Sequence, residues 1–451
     1  MKGLCFRYKW LVLLGLLIPL GAPAQEPLTL RQAIQQALGQ NPEVQAASAG
    51  SVEAKTNASL ARTQLLPQIN FTEDMSRGND PVYVFGSKLR QQRFTTADFD
   101  TNALNRPTPV ANFTSRFSGS WMAFDSFKTQ KAIHSADLMG KSAESSAKAV
   151  NQKVVLDVVQ AYQSVLYGER QVDIAQHELD TAQALLESVE DHVKAGLAVE
   201  SDRMSAQVNL ADRKQALIAS QGELALAWAQ LRVALGNPNL QETKLQPIEA
   251  RDFPQGSLEQ EMRVAAKMRS DLQALGEAQS AQASAVSAAK WSFGPRVSAY
   301  GIAEQDRSTF AGRAGNNWVA GVQISIDVMP FSKRAQLAHE NAVKAKVDAQ
   351  VATYQQQVRL QVSQAHIQQQ TAQLSLETAR AAIDQASESL RILRNRYGAG
   401  LATMTDLLRA EDAERQSQTN YWHAVYGNAM AYAQLLFATG TLTPDAAEEL
   451  Q

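Results

Sequence analysis

The chain has 451 residues, 45% of them hydrophobic and 20% charged, with a formal net charge of −2. That balance fits a folded protein and excludes a disordered one. The mild acidity argues against nucleic acid as a partner.

The N-terminus reads as a cleaved secretory signal. "MKGLCFRYK" carries Lys2, Arg7 and Lys9, "WLVLLGLLIPL" is an apolar run, and the small residues "APA" (22–24) place cleavage after about Ala24. The run falls short of the roughly 20 residues that a spanning helix needs. Cleavage removes Cys5, the only cysteine, so the mature chain is expected to have no disulfide and no N-terminal cysteine to lipidate. No other stretch reaches about 18 apolar residues, which excludes a helical span but not a β-barrel.

A helix is predicted over 28–64, then a strand over about 68–77. The stretch 73–112 is rich in Pro, Asn and Asp, which resist strand pairing, and is expected as a long external loop. A second strand covers about 113–125. One of its faces shows Phe113, Ser115, Phe117, Gly119 and Trp121, the other Thr114, Arg116, Ser118 and Ser120. A long helix follows over 129–194, then the octapeptide "AGLAVESD" (195–202) and a helix over 202–235. A linker at 237–256 separates this first unit (25–236) from a second (257–440). The second unit has strands over about 296–305 and 317–329, a helix over 332–397, "AGLATMTD" (399–406), a helix over 405–438 and a tail at 441–451. Trp318, Ala320, Val322, Ile324, Ile326 and Val328 oppose Val319, Gly321, Gln323, Ser325 and Asp327. Such alternation, with 16 of the 27 mature aromatics in windows 69–127 and 291–331, fits transmembrane β-strands.

The two units are copies. "NPEV" (41–44) matches "RSDL" (269–272), and Pro67 matches Pro295, at an offset of 228; the octapeptides match at 204. The first copy is therefore 24 residues longer somewhere between Pro67 and Ala195, most naturally in 73–112. Before the first octapeptide, Val172, Ala175, Leu179, Ala182, Leu186, Val189 and Val193 step by 3 and 4. Leu376, Ala379, Ile383, Ala386, Leu390, Leu393 and Tyr397 stand 204 residues on. That is a heptad seam, which implies left-handed coiled-coil packing.

Each octapeptide reads as the tip of a helical hairpin. Gly196 and Gly400 stand where a helix C-terminus takes a residue at positive φ. Leu197 and Leu401 are expected to fold back on the preceding turn, and Ser201 and Thr405 to cap the next helix. Asp202 and Asp406 suit its positive end. The fold class is thus mainly α with membrane β: duplicated coiled-coil hairpins plus two β-hairpins per chain. Four strands cannot close a barrel, and an open edge cannot face lipid, so the barrel must be shared between subunits.

"LTLRQAIQQALGQNPEVQAA" (28–47), the paired A-G-L-A-x-x-[ST]-D tips and the twice-repeated helix–hairpin–helix order resemble the TolC-type outer-membrane efflux proteins. The resemblance implies a homotrimer with a 12-stranded barrel in outer-membrane lipid and a helical tunnel through the periplasm. It also implies an entrance at the tips, docked by a periplasmic membrane-fusion adaptor and served by an inner-membrane pump of the proton-driven or ATP-driven kind. Carried over, adaptor docking falls on Ala195, Gly196, Leu197 and Ala198, and on Ala399, Gly400, Leu401 and Ala402. The entrance gate falls on Asp202 and Tyr397, with Asp406 and Arg409 either paired at i and i+3 or forming rings about a threefold axis.

The six histidines (134, 177, 192, 339, 366 and 423) are expected on solvated helix positions without ligand spacing. "MGKS" (139–142) lacks the upstream glycine of a phosphate loop. No catalytic motif, metal or cofactor is expected. The functional expectation is an outer-membrane duct exporting small molecules. The alternatives are a duct for type I protein secretion and, from another class, a periplasmic coiled-coil scaffold or adaptor.

Overall fold

The computed structural model describes residues 27–450, so the signal segment, its cleavage site and Cys5 lie outside the described residues. The first run of elements is α1 (Leu30–Gln40), α2 (Pro42–Thr63), β1 (Gln68–Gly78), α3 (Pro81–Arg90), α4 (Thr101–Asn105), β2 (Val110–Phe124), α5 (Lys128–Lys194) and α6 (Glu200–Leu235). The second is α7 (Leu258–Met268), α8 (Ser270–Trp291), β3 (Arg296–Arg307), β4 (Ala314–Ser325), α9 (Phe331–Gly398) and α10 (Met404–Thr439), followed by the short α11 (Pro444–Glu448). Helices α1 and α2 and strand β1 start 228 residues before α7, α8 and β3, while β2 and α6 start 204 before β4 and α10. The duplication read in the sequence is a duplication of structure.

Helices α5 and α9, with 67 and 68 residues, are each about 100 Å long. None of the fourteen seam residues is exposed, and Val189 is fully buried. The shorter α2 and α6 lie end to end along α5, and their meeting point explains why the helix expected over 28–64 is broken. Asn41 is extended there (φ −65°, ψ 127°). Its side chain accepts from the Glu43 N–H at 2.8 Å, capping α2, and donates to the Ala234 carbonyl at 2.9 Å. Gly236, at φ +67°, abuts it so closely that a Cβ would sit 2.7 Å from the Asn41 Cα. Arg269 and Gly440 (φ +76°) make the same joint in the second copy, where a Cβ would sit 2.8 Å from the Arg269 nitrogen.

The main core surrounds these joints. Leu30, Ile34, Val158, Val165, Leu231 and Leu235 pack there with Ala433 and Leu442. A short parallel bridge pins the chain start: the Leu28 N–H donates to Lys244 O (2.9 Å) and the Gln246 N–H to Leu28 O (3.0 Å). Tyr162, fully buried on α5, brings its hydroxyl within 2.7 Å of Leu28 O and 2.8 Å of Gln246 O.

At the far end of α5 and α9 the strands form one antiparallel sheet in the order β1-β2-β3-β4. One rung reads Phe71, Phe117, Ala303, Trp318, and the next reads Thr72, Arg116, Glu304, Asn317. One face is therefore apolar, with Ile69, Phe71, Phe117, Trp121, Trp318, Val322 and Ile324 all exposed to the surroundings, Trp318 at 81%. The opposite face carries Asn70, Thr72, Ser118, Ser298, Gln323 and Ser325. Phe127 packs edge-on against Phe124 (5.5 Å) and Trp291 (5.9 Å), an aromatic cluster where sheet gives way to helix. No helix among the described residues is long and apolar enough to cross a membrane.

Two expectations about the strands need correction. Strand β4 ends at Ser325, not 329, because Asp327 pairs with Arg296 (3.2 Å) and Lys333 (2.6 Å) and turns the chain into α9. The stretch 73–112 is not an irregular loop. Strands β1 and β2 run to 78 and from 110, and the 31 residues between them contain α3, a 3₁₀ turn and α4. Asp80 caps α3 by accepting from the Tyr83 N–H (2.8 Å), with Pro81 at the first helical position, and Asp100 caps α4. The connection 308–313 in the second copy has only six residues, which accounts for the extra length of the first copy.

Tyr162→Phe removes the buried side chain's hydroxyl from the Leu28 and Gln246 carbonyls and should destabilise the chain by about 1 kcal/mol. Thermal unfolding in detergent checks it; an unchanged midpoint would mean that the bridge holds without Tyr162.

Candidate docking tips and entrance

The sequence closes each long helix in the same way. At the end of α5, Gly196 (φ +72°) donates to Val193 O at 3.0 Å and the Leu197 N–H donates to His192 O at 2.8 Å. At the end of α9, Gly400 (φ +71°) donates to Tyr397 O at 2.9 Å and the Leu401 N–H to Arg396 O at 2.8 Å. Both are Schellman closures, which need a left-handed residue and so favour glycine. These backbone bonds complete the turn unaided. Leu197 and Leu401 do not fold back as expected but stand out, 78% and 68% exposed. A Cβ at either glycine would meet nothing within 4 Å, so both tips are open surface.

The next helices start earlier than expected, at Glu200 and Met404, so Ser201 and Thr405 lie inside them. The N-cap positions are Val199 and Thr403, where the two octapeptides differ, and the consequence is electrostatic. Thr403 forms a capping box: its hydroxyl accepts from the Asp406 N–H (3.2 Å), and the Asp406 carboxylate accepts from the Thr403 N–H (3.1 Å) and hydroxyl (2.6 Å). The Thr403 hydroxyl, then its N–H, holds the Asp406 carboxyl below the usual range, with Arg409 and Arg396 adding to the effect. Val199 has no side-chain oxygen to offer, so the Asp202 carboxylate is not drawn into a capping box.

Both tips meet at the same end of the molecule, around Val189, Ala206 and Met404, with Val193, Tyr397 and Leu408 beside them. Tyr397 is thus a seam aromatic and also a neighbour of Asp202. Burial, and then the Asp202 charge, pushes its hydroxyl pKa up. Ala195 and Ala399 hold the helix C-cap positions, and Ala198 and Ala402 lie in the turns. Arg409 is exposed, and no ion pair joins it to Asp406 within the chain; the capping box occupies the carboxylate instead.

Farther from the tips, charges that the sequence pattern did not signal tie helices together within and between the hairpins. Arg213 on α6 pairs with Asp412 on α10 at 2.7 Å and lies 3.8 Å from the buried Glu178 on α5. Glu411 on α10, also buried, faces Arg394 on α9 at 3.5 Å. Burial raises the pKa of both glutamates. A seam pattern shows which faces pair within a hairpin but not which faces meet between hairpins. His366 likewise departs from a solvated position, because α7 packs over α9 and brings Glu261 to its Nδ1 at 2.9 Å. Among the described residues no group of three His, Cys, Asp or Glu could hold a metal ion.

A sequence profile described as outer membrane efflux protein matches residues 33–237 and 263–441. The chain also superposes on the CmeC outer membrane channel of Campylobacter jejuni, with a TM-score of 0.80 at 15% identity over 91% of this chain and 85% of that one. For the outer membrane protein VceC of Vibrio cholerae the TM-score is 0.76 at 18% identity, covering 91% and 96%. For the open MtrE outer membrane channel of Neisseria gonorrhoeae it is 0.75 at 16%, covering 92% and 91%. At such identities the likeness is one of fold. No curated protein matches the sequence.

The cap difference is testable. Val199→Thr puts a hydroxyl three residues before Asp202, recreating the box of the second tip, and should stabilise the start of α6 by about 1 kcal/mol. Amide exchange over 200–204 should slow several-fold, and the Tyr397 hydroxyl should titrate lower as Asp202 turns away. Unchanged exchange would mean that the cap does not govern this turn.

Proposed function

Because the chain belongs to the outer membrane efflux protein family, we propose that it is the exit duct through which a tripartite pump exports small molecules. The family consists of outer-membrane channels, not enzymes. One observation carries the reading: the two matching tips lie at one end of the helices and the amphipathic sheet at the other, about 100 Å away. That length suits a molecule with work at both ends of the periplasm.

The sheet supports a trimer. Its apolar face suits lipid, while strands β1 and β4 each leave an edge unpaired, which hydrocarbon does not tolerate. Two chains would give a barrel of about eight strands filled by side chains; three give about twelve and room for passage. In the trimer, Asp202 and Tyr397, with Asp406 and Arg409, surround the periplasmic entrance. Residues Ala195, Gly196, Leu197 and Ala198, and Ala399, Gly400, Leu401 and Ala402, receive the adaptor that links the duct to an inner-membrane pump. Small side chains let a partner helix approach closely, and the exposed Leu197 and Leu401 offer it apolar contact.

Gly196→Arg and Gly400→Arg should abolish export and adaptor crosslinking while trimers stay at normal levels. The left-handed backbone strain is only about 1–2 kcal/mol, and the space around each glycine is empty. Normal export by both variants would reduce the tips to plain turns.

The barrel reading is tested separately on its two faces. Phe117→Arg or Ile324→Arg should impair membrane assembly, at about 2–4 kcal/mol near the midplane. Their neighbours Ser118→Arg and Ser325→Arg should be tolerated. Equal damage on both faces would refute the assignment of lipid and lumen.

A further inference from the structure

The insertion between β1 and β2 is built onto the polar face of the sheet. Helix α3 starts over β1, where the Tyr83 hydroxyl meets Ser76 Oγ at 2.9 Å and its ring lies on Gly78, 3.3 Å from where a Cβ would stand. It ends over the other three strands. Gln91, just past its last turn, is 4% exposed, and its Nε2 donates to Ala111 O (2.9 Å), Asn112 Oδ1 (2.8 Å) and Arg307 O (3.4 Å). Three acceptors around one amide position identify it as the nitrogen. Asn112 is fixed in turn by the fully buried Asp306, which accepts from its Nδ2 at 2.8 Å. On β4, a Cβ at Gly315 would stand 2.0 Å from Arg90 O, so only glycine admits the helix end. The rest of the insertion rides on α3 through edge-on contacts of Phe94 with Phe85 and Phe99, and through the Lys88–Asp98 pair at 2.6 Å.

The dimensions decide what this does. Ten helical residues span about 15 Å, and four strands of a closed wall take about 19 Å, so one α3 covers most of one chain's share of the wall. Twelve strands tilted by roughly 40° make a barrel of about 12 Å backbone radius. A helix with its side chains is about 10–12 Å thick. Three α3 helices laid on the lumen face therefore reach close to the axis and fill the outer mouth.

We propose that α3 is the selectivity element of the outer mouth, latched by Gln91, and that it makes the exported cargo small solutes and not polypeptides. This rests on the shared barrel argued above. A small solute passes through gaps of side-chain size, which rotamer motion opens. A polypeptide needs the lumen clear to about the width of a helix, and hence all three helices displaced.

The mature chain, free of cysteine once Cys5 is removed, allows a direct test in intact cells. Ser118→Cys lies on the lumen face, opposite Asn70 and Ile302. From outside, a small impermeant maleimide should label it, while a maleimide carrying a polyethylene glycol chain of several kilodaltons should not. Gln91→Glu keeps the shape of the side chain but turns an oxygen toward three oxygens. It should raise labelling by the large reagent about tenfold, equivalent to about 1.4 kcal/mol of lost latch. Deleting 80–108 should let the large reagent label as fast as the small one. Equal labelling by both reagents with the mouth intact would overturn the proposal. Opening by the deletion but not by Gln91→Glu would overturn the latch. If neither reagent labels even the deletion variant, position 118 does not face an outward lumen, and the barrel reading itself fails.

Discussion

The unpaired edges of β1 and β4 set what the rest of the chain must do. A backbone N–H or C=O left without a partner in hydrocarbon costs several kcal/mol. Each edge strand here has eleven or twelve residues, so an isolated sheet with its apolar face in lipid would be strongly disfavoured. In the assembly proposed above, copies of the chain supply the missing partners. The demand is local to one end of the molecule, yet in the proposed assembly the helices of each copy would continue the wall begun by its strands. The hairpins, held together by their seams and by charges such as Arg213 with Asp412, are the part that each chain completes for itself.

Duplication furnished two scaffolds with the same closures. The joint between Asn41 and Gly236 recurs as Arg269 and Gly440, and both tips close on a left-handed glycine. Two differences between the copies lie one at each end. Near the entrance, Val199 replaces a capping threonine, so one aspartate is committed to its own helix while its counterpart stands beside Tyr397. At the sheet, the first copy carries 31 residues where the second has six. The shared tips carry the proposed docking role, while the parts that differ fall at the proposed entrance and mouth.

Much of this was legible in the sequence, because periodicity and repetition are statements about faces. The 3–4 seam fixed the buried stripe of α5 and α9, the alternation in β2 and β4 separated apolar from polar, and the paired glycines marked the turns. Local competition was less legible. Ser201 and Val199, two residues apart, compete for the start of α6, and the backbone chose the residue that cannot cap. The break at Asn41 has a local cause, Pro42, which disfavours a helical residue before it and suits the first position of α2, but its fit against Gly236 shows only in the fold. The loop 73–112 looked irregular because Pro and Asp oppose strands, yet the same residues at Asp80 and Pro81 begin a helix. Asp412 and His366 acquire their partners Arg213 and Glu261 only when helices from different parts of the chain pack together.

Native mass spectrometry of the protein released from outer membranes in mild detergent measures the central claim directly. The account predicts particles of three chains, the smallest number whose strands close around an open passage. A particle of one or two chains, stable under conditions that preserve membrane-protein assemblies, would contradict it, since four strands leave edges in lipid and eight leave no room for cargo.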